Sequence, residues 1–394
     1  MKLLNIFNHY IERGGEAAAV VSITESLSHV AEVASCDFSS ADWTGPNAPA
    51  AAKQALWMIR NPSSIRKVRE QHFRSKADAW LVHNVFPVGS AAIYAEAKRL
   101  GVPIIQYLHN FRPFSVNGYL WADDRLAPEG LSQNYWPEIW HAAWQDSSTK
   151  TAWLALVLKL SRALGWWNSV KSWIAVSDFM RNKFISAGVP ASDIFTLRHF
   201  WKPQLNPVSS EGDYYLYLGR LITAKGINVL LEAWQILERE LGSAAPRLVI
   251  AGAGPLDELI AQRATKMLST QFVGELLGHT KRKVIENARA VVVPSIWWEP
   301  LGLVVYEAYD FGKPVLAAAS GGLPEIVVNN LTGVLHTPGN AQQLAHQVLE
   351  LEKDVARRRE MGQQARLWLK GNAGEEQWLE NFAAITAHTL GPSA

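Results

Sequence analysis

Short apolar runs alternate with helical patterns along the whole chain, and this alternation constrains the fold more than any other feature. Apolar runs bounded by turn residues predict buried strands, and strands separated by helices pair in parallel. The predicted strands are residues 2–8, 31–38, 79–84, 102–107, 172–176, 194–197, 214–218, 247–251, 270–273, 290–293, 314–318 and 333–335. The sequence therefore predicts an α/β protein with doubly wound, Rossmann-like sheets.

Two domains are expected, because 394 residues exceed the length of one average domain. The stretch HFWKPQLNPVSSEGD lacks periodicity and predicts a linker near residues 200–212. We predict an N-terminal domain at 1–205 and a C-terminal domain at 206–374, with helical structure past Gly339. Ligands of such sheets bind beyond the carboxyl ends of the strands, so we expect two domains that face a cleft and hold a substrate there.

Charge and cysteine content narrow the class of protein. A net charge of +2 gives no basic field for nucleic acid, and the basic stretch 60–76 is interpreted as a solvated helix face. A single cysteine, Cys36, excludes an intrachain disulfide and is expected to be buried in a strand. The start MKLLNIFNHY predicts a strand rather than a signal peptide, and no apolar run approaches the about 18 residues of a membrane span. These features predict a cytoplasmic protein.

A tryptophan-rich segment is the main candidate for contact with a membrane surface. The chain has 17 tryptophans, and residues 151–173 have the pattern of an amphipathic helix. Peripheral membrane contact and packing against a sheet are both compatible with this pattern, and we favour packing. For Trp121, Trp136, Trp140 and Trp144, stacking on a sugar competes with filling space, and packing is preferred for most of them.

The segment PSIWWEPLGLVVYEAYDFGKPVLAAASGGLPE contains two glutamates eight residues apart, Glu299 and Glu307, around a predicted helix start. Pro300 suits the first turn of a helix and Gly302 permits close backbone approach, so the amides at 301–303 predict a site for phosphate. A carboxylate repels a phosphate that it touches, so we expect both glutamates to accept hydrogen bonds from sugar hydroxyls on either side of a diphosphate. The alternatives are a helix cap for Glu299 and a solvated helical position for Glu307.

The strand at 214–218 ends in the loop Gly219-Arg220-Leu221-Ile222-Thr223-Ala224-Lys225-Gly226, which carries two cations five residues apart. Arg220 can bind phosphate oxygens through its planar group of donors, and Lys225 can add a point charge. The alternative is that Arg220 and Lys225 are ordinary surface cations with no ligand. Both this loop and the Glu299 segment follow a strand at its carboxyl end, which favours a shared crevice.

Two features of the first half of the chain give weaker evidence for a ligand site when each is taken alone. Gly14 and Gly15 lie between the first strand and a helix and predict a second backbone site for anions, although paired glycines also form ordinary turns. His109 ends the strand in IIQYLHNFRPF, where it can bind a hydroxyl or serve as a structural histidine.

These residues resemble the retaining glycosyltransferases of the GT-B fold, in particular family four. In the second domain the resemblance covers YLGRLITAKG, LVIAGAGP, FVGELLG, VVVPSIWWEPLGLVVYEAYDFGKPVLA, GGLPEIV and the later Leu331-Thr332-Gly333. In the first domain it covers RGGE, LHNFRPFSVNG and IAVSDFMRNKF more loosely. The resemblance implies a retaining hexosyltransferase-like enzyme of bacterial surface polysaccharide or glycolipid assembly. Its acceptor would be a glycan or a lipid-linked saccharide at the inner face of the membrane.

The resemblance also implies a role for each candidate residue. Arg220 and Lys225 would bind the donor diphosphate, Glu299 the hydroxyls of the donor sugar and Glu307 the ribose. Three further elements have implied positions: the amides of Gly302 and Leu303 face the donor, the loop of Gly14 and Gly15 lies near the phosphates, and His109 borders the transferred sugar. A last helix, at 375–394 with its core at 375–390, would pack back on the first domain.

The expected catalysis is electrostatic and independent of metal. Arg220, Lys225 and the helix amides would stabilise the leaving diphosphate, so we expect no cofactor apart from the nucleotide sugar itself as co-substrate. Asp123 and Asp124 are interpreted as solvated loop residues rather than metal ligands. Glu299 and Glu307 flank a phosphate site, unlike the paired carboxylates of a glycoside hydrolase. A non-hydrolysing nucleotide-sugar epimerase and a non-catalytic two-domain binding protein are the alternatives.

Overall fold

The computed structural model describes residues 1–11, 14–203 and 211–391. Arg13 of the RGGE motif and most of the predicted linker, including the boundary between residues 205 and 206, lie outside the described residues. The described chain divides into two compact units, Met1–His199 with Glu375–Ala394, and Phe200–Gly374. We call them unit 1 and unit 2.

The strands are short and mostly apolar. Their bounds are β1 Lys2–His9, β2 Glu32–Ser39, β3 Ala79–Asn84, β4 Ile104–Leu108, β5 Trp121–Ala122, β6 Arg125–Leu126, β7 Val170–Ala175, β8 Ile194–Thr196, β9 Tyr214–Leu218, β10 Leu248–Ala251, β11 Thr270–Gly274, β12 Ala288–Val293, β13 Val315–Ala318 and β14 Gly333–His336. The two-residue strands β5 and β6 form a small antiparallel hairpin that the sequence did not predict. Each predicted strand is present, with ends displaced by at most two residues.

The helices separate the strands. Their bounds are α1 Gly15–Ser28, α2 Ala51–Ile59, α3 Pro62–Ser75, α4 Ala92–Leu100, α5 Trp136–Trp140, α6 Ser148–Ala163, α7 Asp178–Ser186, α8 Ile227–Leu241, α9 Asp257–Ala264, α10 Gly278–Glu286, α11 Leu303–Asp310, α12 Leu323–Ile326, α13 Ala341–Lys353, α14 Val355–Asn372 and α15 Glu375–Leu390.

Unit 1 is built on a parallel sheet of six strands in the order β2-β1-β3-β4-β7-β8. The strand order reverses between β1 and β3, so loops that follow these strands diverge at a topological switch point. Helix α15 packs on β4 and β7 in this unit, although it follows unit 2 in the chain. Cys36 is fully buried in β2, as expected, and burial raises the pKa of its thiol to about 12.

Unit 2 has a second parallel sheet of six strands, in the order β11-β10-β9-β12-β13-β14. Its switch point lies between β9 and β12, which are neighbours in the sheet. Trp234 of α8 is fully buried on this sheet and donates its indole N–H to the carbonyl of Pro246 at 2.7 Å. The two sheets confirm the predicted fold class of two Rossmann-like domains.

Candidate functional site

The loop after β9 is held tightly against its neighbours in unit 2. Tyr217 donates its hydroxyl proton to the carbonyl of Arg220 at 2.7 Å, which fixes the turn that carries the guanidinium group. Lys225 ends a short 3₁₀ turn, Thr223–Lys225. Gly226 follows with φ of +73°, and a Cβ atom there would lie 1.9 Å from the carbonyl oxygen of Pro294. Only glycine permits this approach between the two loops.

The loop after β12 is bonded to the loop after β9. The amides of Ile296 and Trp297 donate to the carbonyl oxygen of Ala224, at 3.0 and 3.2 Å. Since β9 and β12 are adjacent strands at the switch point, their loops form one continuous surface at the carboxyl edge of the sheet. The structure therefore brings Lys225 and Glu299 together.

Glu299 is buried, with 6% of its surface exposed, and its carboxylate is surrounded by donors. The Lys225 ammonium lies 2.6 Å from Oε2 and 2.9 Å from Oε1. Ser295 and the Trp297 indole each donate to Oε2 at 3.0 Å. The Lys225 ammonium also lies 5.0 Å from the centre of the Trp297 ring. A buried carboxylate is tolerated when a cation and hydrogen bonds satisfy it in this way. Oε1 has only one of these protein donors, so it retains accepting capacity for a ligand.

Helix α11 begins beside this carboxylate, at Leu303, and Gly302 precedes it with φ of +96°. The prediction that Pro300 occupies the first helical turn is wrong: the helix begins three residues later, because the left-handed conformation of Gly302 is incompatible with a helix that runs through it. Gly322 donates its amide to the Glu299 carbonyl at 2.8 Å. The first amides of α11, at Leu303 and its neighbours, have no carbonyl four residues earlier in the helix and attract anions.

Glu307 lies on α11, one turn after its start, and forms an ion pair with Lys281 of α10. The Lys281 ammonium is 2.6 Å from Glu307 Oε2, and the glutamate side chain is 20% exposed. Glu307 is thus partly buried and paired, rather than a fully solvated helical glutamate.

In unit 1, Gly14 and Gly15 begin α1. Gly14 is the residue before the helix, in an extended conformation with φ of −144°, and Gly15 is its first residue. Glu16 accepts a hydrogen bond from Asn110 at 2.9 Å. Burial raises the pKa of Glu16 to about 7, against the opposing effect of the Arg112 guanidinium.

His109 follows β4 and belongs to a group of stacked rings in unit 1. Its ring centroid lies 4.9 Å from that of Tyr107 and 5.3 Å from that of His199, with interplanar angles of 16° and 13°. His83 approaches it to 2.8 Å, from Nδ1 to the His109 Nε2 atom. Burial is the main cause that lowers the pKa of His109 well below its usual range, followed by the neighbouring histidines.

Sequence reasoning missed several residues of these groups. Ser295 and Trp297 lie four and two residues before Glu299, and this proximity is a signal that they could contact its carboxylate. His83 and Asn5 lie on separate strands far apart in the chain, and only the register of the sheet brings them to His109. The sequence also did not predict the direct contact between Lys225 and Glu299.

Two tryptophans of the first half of the chain are more exposed than expected. Trp136 and Trp140 are exposed by 61% and 68%, and their rings lie 5.9 Å apart. The preference for packing is therefore wrong for these two, because α5 is only five residues long and leaves one face uncovered. In α6 the apolar residues Leu154, Val157 and Leu158 are buried, as predicted for packing. None of the helices in the described ranges combines the length and the apolar composition that a membrane span requires.

Two family models match consecutive parts of the chain. The model for glycosyltransferase family 4 matches residues 45–200, and the model for glycosyl transferases group 1 matches residues 202–368. Together they cover most of both units.

The chain belongs to the group 1 glycosyltransferases of the GT-B fold.

Similar proteins agree with this family assignment. A glycosyltransferase of Methanocaldococcus jannaschii is 34% identical over 161 residues, which span 38% of this chain and 40% of that protein. The alpha-D-kanosaminyltransferase of Streptomyces kanamyceticus is 24% identical over 79% of this chain and 75% of its own length. The Anabaena HepE protein, crystallised with UDP, superposes with a TM-score of 0.69 at 17% identity, over 98% of this chain and 100% of its own.

The predicted fold and the predicted membership of the GT-B glycosyltransferases are therefore confirmed, and the relatives that are named as transferases agree with the expected class of enzyme. The matched region spans 40% of the archaeal relative. The likeness to the Anabaena protein, at 17% identity, concerns the fold.

Proposed function

We propose that the protein is a retaining glycosyltransferase that transfers a sugar from a nucleoside diphosphate to a hydroxyl of an acceptor. The observation that carries this proposal is the ion pair of the partly exposed Lys225 with the buried Glu299, beside the first turn of α11 at the switch point of unit 2. This arrangement offers a cation and backbone amides to a diphosphate, and a carboxylate oxygen to a hydroxyl. The name of the kanosaminyltransferase and the UDP bound to the Anabaena protein are consistent with such a substrate.

In the proposed site, Arg220 and Lys225 bind the diphosphate together with the amides of Gly302 and Leu303. Glu299 accepts a hydrogen bond from a hydroxyl of the transferred sugar through Oε1. Lys225 is already held by Glu299, so its ammonium is fixed in position before the donor binds and needs little reorganisation.

Three further positions complete the proposal. Glu307 binds the ribose hydroxyls, and its pairing with Lys281 orients the carboxylate. The first amides of α1, at Gly14 and Gly15, offer a second site for an anionic group. His109 binds a hydroxyl.

The proposed reaction breaks the bond from the anomeric carbon to the diphosphate oxygen and forms a bond from that carbon to the acceptor oxygen. The acceptor proton passes to the departing diphosphate oxygen on the same face, which retains the anomeric configuration. Arg220, Lys225 and the α11 amides stabilise the negative charge that develops on the leaving group, so the step requires no metal or other cofactor.

The proposed acceptor is a glycan or a lipid-linked saccharide in bacterial surface polysaccharide or glycolipid assembly, at the inner face of the cytoplasmic membrane. The exposed rings of Trp136 and Trp140 support this part of the proposal, since exposed indoles stack on sugars and favour lipid interfaces. Sedimentation with anionic phospholipid vesicles tests peripheral membrane contact. The wild-type chain is expected in the pellet and the Trp136→Ala/Trp140→Ala variant in the supernatant, and equal sedimentation of both contradicts it.

The decisive experiment incubates the purified chain with a panel of nucleotide sugars and follows the products by mass spectrometry and proton NMR. Slow hydrolysis that releases the sugar with retained configuration is expected. An epimerised nucleotide sugar would indicate the epimerase alternative, and binding without turnover would indicate a binding protein.

Site variants test the residues. We expect Glu299→Gln and Lys225→Met to lower turnover by about 10²–10³-fold, the range seen when one charge-stabilising group is lost. Each single variant removes one partner of the ion pair, and Lys225→Met leaves the buried Glu299 carboxylate without its cation. The double variant Lys225→Met/Glu299→Gln therefore serves as the stability control: it should unfold closer to wild type than Lys225→Met while remaining inactive. The matched controls are Lys266→Met and Glu258→Gln, at two exposed positions of unit 2. Near-normal turnover of Glu299→Gln would contradict the assignment.

A further inference from the structure

A continuous series of hydrogen bonds crosses the sheet of unit 1 and ends at His109. Thr24 donates its hydroxyl to the Val20 carbonyl at 2.7 Å and accepts from Asn5 Nδ2 at 3.0 Å. Asn5 Oδ1 lies 2.8 Å from His83 Nε2, and His83 Nδ1 lies 2.8 Å from His109 Nε2. The series thus joins α1, β1 and β3 to the residue that follows β4.

The direction of each hydrogen bond follows from Thr24. Its hydroxyl proton is used on Val20, so its oxygen accepts and Asn5 must present its NH₂ group there. The other atom of the Asn5 amide is then an oxygen, so His83 Nε2 must carry the proton. Burial lowers the pKa of His83 to about 3, so the ring is neutral and its Nδ1 is an acceptor.

His109 Nε2 must therefore donate to His83 Nδ1. His109 is also neutral, because burial lowers its pKa well below the usual range. Its proton is thus on Nε2, and Nδ1 holds a lone pair. That Nδ1 atom is buried and has no hydrogen-bond partner among the described residues. Stacking on Tyr107 and His199 holds the plane of the ring, so the direction of this lone pair is fixed.

We propose that Asn5 and His83 are positioning residues that hold His109 in the Nε2–H tautomer, so that its Nδ1 atom accepts a hydrogen bond from a hydroxyl of a bound saccharide. The inference rests on the proposed function for the identity of the ligand, while the tautomer itself depends only on the geometry of unit 1. In the other tautomer, His109 would present an N–H donor at Nδ1 and would select a different group of the ligand.

An unpartnered buried acceptor is unfavourable, so a hydroxyl donor is expected at this position when the site is filled. Water is the other source of such a donor. His83 and His109 both line a cavity of about 10 Å³, which is at the lower limit for one water molecule and far too small for a sugar. The experiment must therefore separate a permanently bound water from a saccharide hydroxyl.

The tautomers are measured by ¹⁵N NMR of the full chain labelled at histidine, with His83 and His109 assigned by substitution. We expect both rings to be neutral between pH 6 and 8, with protonated Nε2 and unprotonated Nδ1. A proton on His109 Nδ1 overturns the proposal. Addition of each nucleotide sugar of the donor panel should shift the His109 Nδ1 resonance for those that are turned over. If these compounds bind and the resonance does not move, the acceptor is filled by water and the saccharide contact is wrong.

Two substitutions at one position separate positioning from general structural damage. Asn5→Leu removes the acceptor for His83, so the His109 tautomer should become mixed and kcat/KM for donor hydrolysis should fall about threefold to tenfold, as for one lost hydrogen bond. Asn5→Asp keeps an oxygen acceptor for His83, with the Thr24 hydroxyl turned from the Val20 carbonyl to the second carboxylate oxygen, and should return both the tautomer and the rate toward wild type. A single unchanged tautomer in a folded Asn5→Leu chain contradicts the positioning role. If Asn5→Leu does not fold, the tautomers of the wild-type chain and of the Asn5→Asp variant still test whether Asn5 and His83 position His109.

The two proposals fail in distinguishable ways. If no nucleotide sugar is bound or turned over, the proposed function fails, whereas the tautomer measurement remains valid on the ligand-free chain. If transfer occurs but His109 Nδ1 is protonated, only the present inference fails.

Discussion

At the scale of single residues, two buried glutamates differ in the hydrogen-bond donors that surround them. Glu299 contacts the Lys225 ammonium at 2.6 Å. Glu138 is 1% exposed, and among the described residues its hydrogen-bond donors are neutral: the Ser115 hydroxyl at 2.7 Å and the amides of Val116 and Asn117 at 2.9 and 3.4 Å. Burial raises the pKa of Glu138 from 4.5 to about 7, against the lowering effect of these hydrogen bonds.

The raised pKa predicts a pH-dependent stability that Glu138→Gln should remove. Below pH 4.5 the group is protonated in both states. Between pH 4.5 and about 7 the folded state keeps a proton that the unfolded state has released, so the free energy of unfolding falls as the pH rises through this window. The loss is at most about 3 kcal/mol, at 1.36 kcal/mol per pKa unit. Urea titrations at pH 4.5 and 8 measure it.

In that experiment the glutamine variant should match wild type at pH 4.5 and exceed its stability at pH 8. The exposed Glu70 of α3 supplies the control Glu70→Gln, which should follow the wild-type profile. A wild-type stability that does not fall relative to Glu138→Gln between the two pH values contradicts the assignment.

Gly321 fixes the position of Glu299 from the backbone side. Its φ is +61°, and a Cβ atom there would lie 2.2 Å from the carbonyl oxygen and 2.4 Å from the amide nitrogen of Glu299. We expect Gly321→Ala to displace Glu299, to lower turnover together with stability and to weaken nucleotide binding. Gly339 is a matched control with φ of +81° and no atom within 4 Å of the added Cβ. Gly339→Ala should cost only the about 1–2 kcal/mol of a left-handed alanine.

Thermal unfolding and isothermal titration with UDP measure both effects. Equal losses of stability in Gly321→Ala and Gly339→Ala would mean that the contact with Glu299 adds nothing to the cost of a left-handed alanine.

At the scale of elements, α15 is part of the core of unit 1. Trp378 and Phe382 stack with ring centroids 5.2 Å apart and are 3% and 1% exposed. Thr389 donates its hydroxyl proton to the Ile385 carbonyl at 2.8 Å, and its oxygen lies in hydrogen-bond contact with the Ser172 hydroxyl of β7 at 2.7 Å. Phe382→Ala should destabilise unit 1 by about 3–5 kcal/mol, as for a buried aromatic side chain, whereas Leu390→Ala, at a residue 43% exposed, should cost little.

Hydrogen exchange followed by mass spectrometry checks this prediction. Peptides of β4 and β7 should exchange faster in Phe382→Ala and be unchanged in Leu390→Ala. Faster exchange confined to α15 itself would mean that the helix does not stabilise the sheet.

Also at the scale of elements, the strands could be predicted from the sequence, whereas some details of the helices could not. Strands were predictable because a parallel strand that is covered on both faces is a continuous apolar run, as in β13, which is buried throughout. The start of α11 was not predictable from the sequence. Pro300 suits a first helical turn, and no sequence signal distinguishes the left-handed φ of Gly302 from the conformation of other glycines. The exposed face of α5 was not predictable either, since a five-residue helix gives no periodicity.

The candidate site was predictable in its positions and less so in its contacts. Residues that follow adjacent strands of a doubly wound sheet are expected near one another, so Arg220, Lys225 and Glu299 could be proposed from the order of elements. The ion pair of Lys225 with Glu299 and the hydrogen bonds from Asn5 to His109 depend on distances of under 3 Å between side chains. Such contacts follow from strand register and side-chain conformation, which one sequence does not specify.

At the scale of the whole molecule, the charge that balances a leaving diphosphate is expected to come from the protein. Transfer activity should therefore be unchanged in excess EDTA and should not rise with added magnesium or manganese, because Arg220, Lys225 and the α11 amides supply the positive potential. A metal-dependent glycosyltransferase assayed in parallel verifies that the chelator is effective. Strict dependence of turnover on either metal ion would contradict the proposed chemistry.

Helix α15 belongs to the same unit as β1, yet all of unit 2 separates it from the rest of that unit in the chain. During synthesis on a ribosome, all of unit 2 leaves the exit tunnel before the helix that covers β4 and β7 does. The amino-terminal sheet must therefore wait with part of its apolar surface uncovered while a later unit is already able to fold. Ribosome-bound chains that have only residues 1–374 outside the exit tunnel should expose that surface to chaperones, and chains that also have α15 outside the tunnel should not.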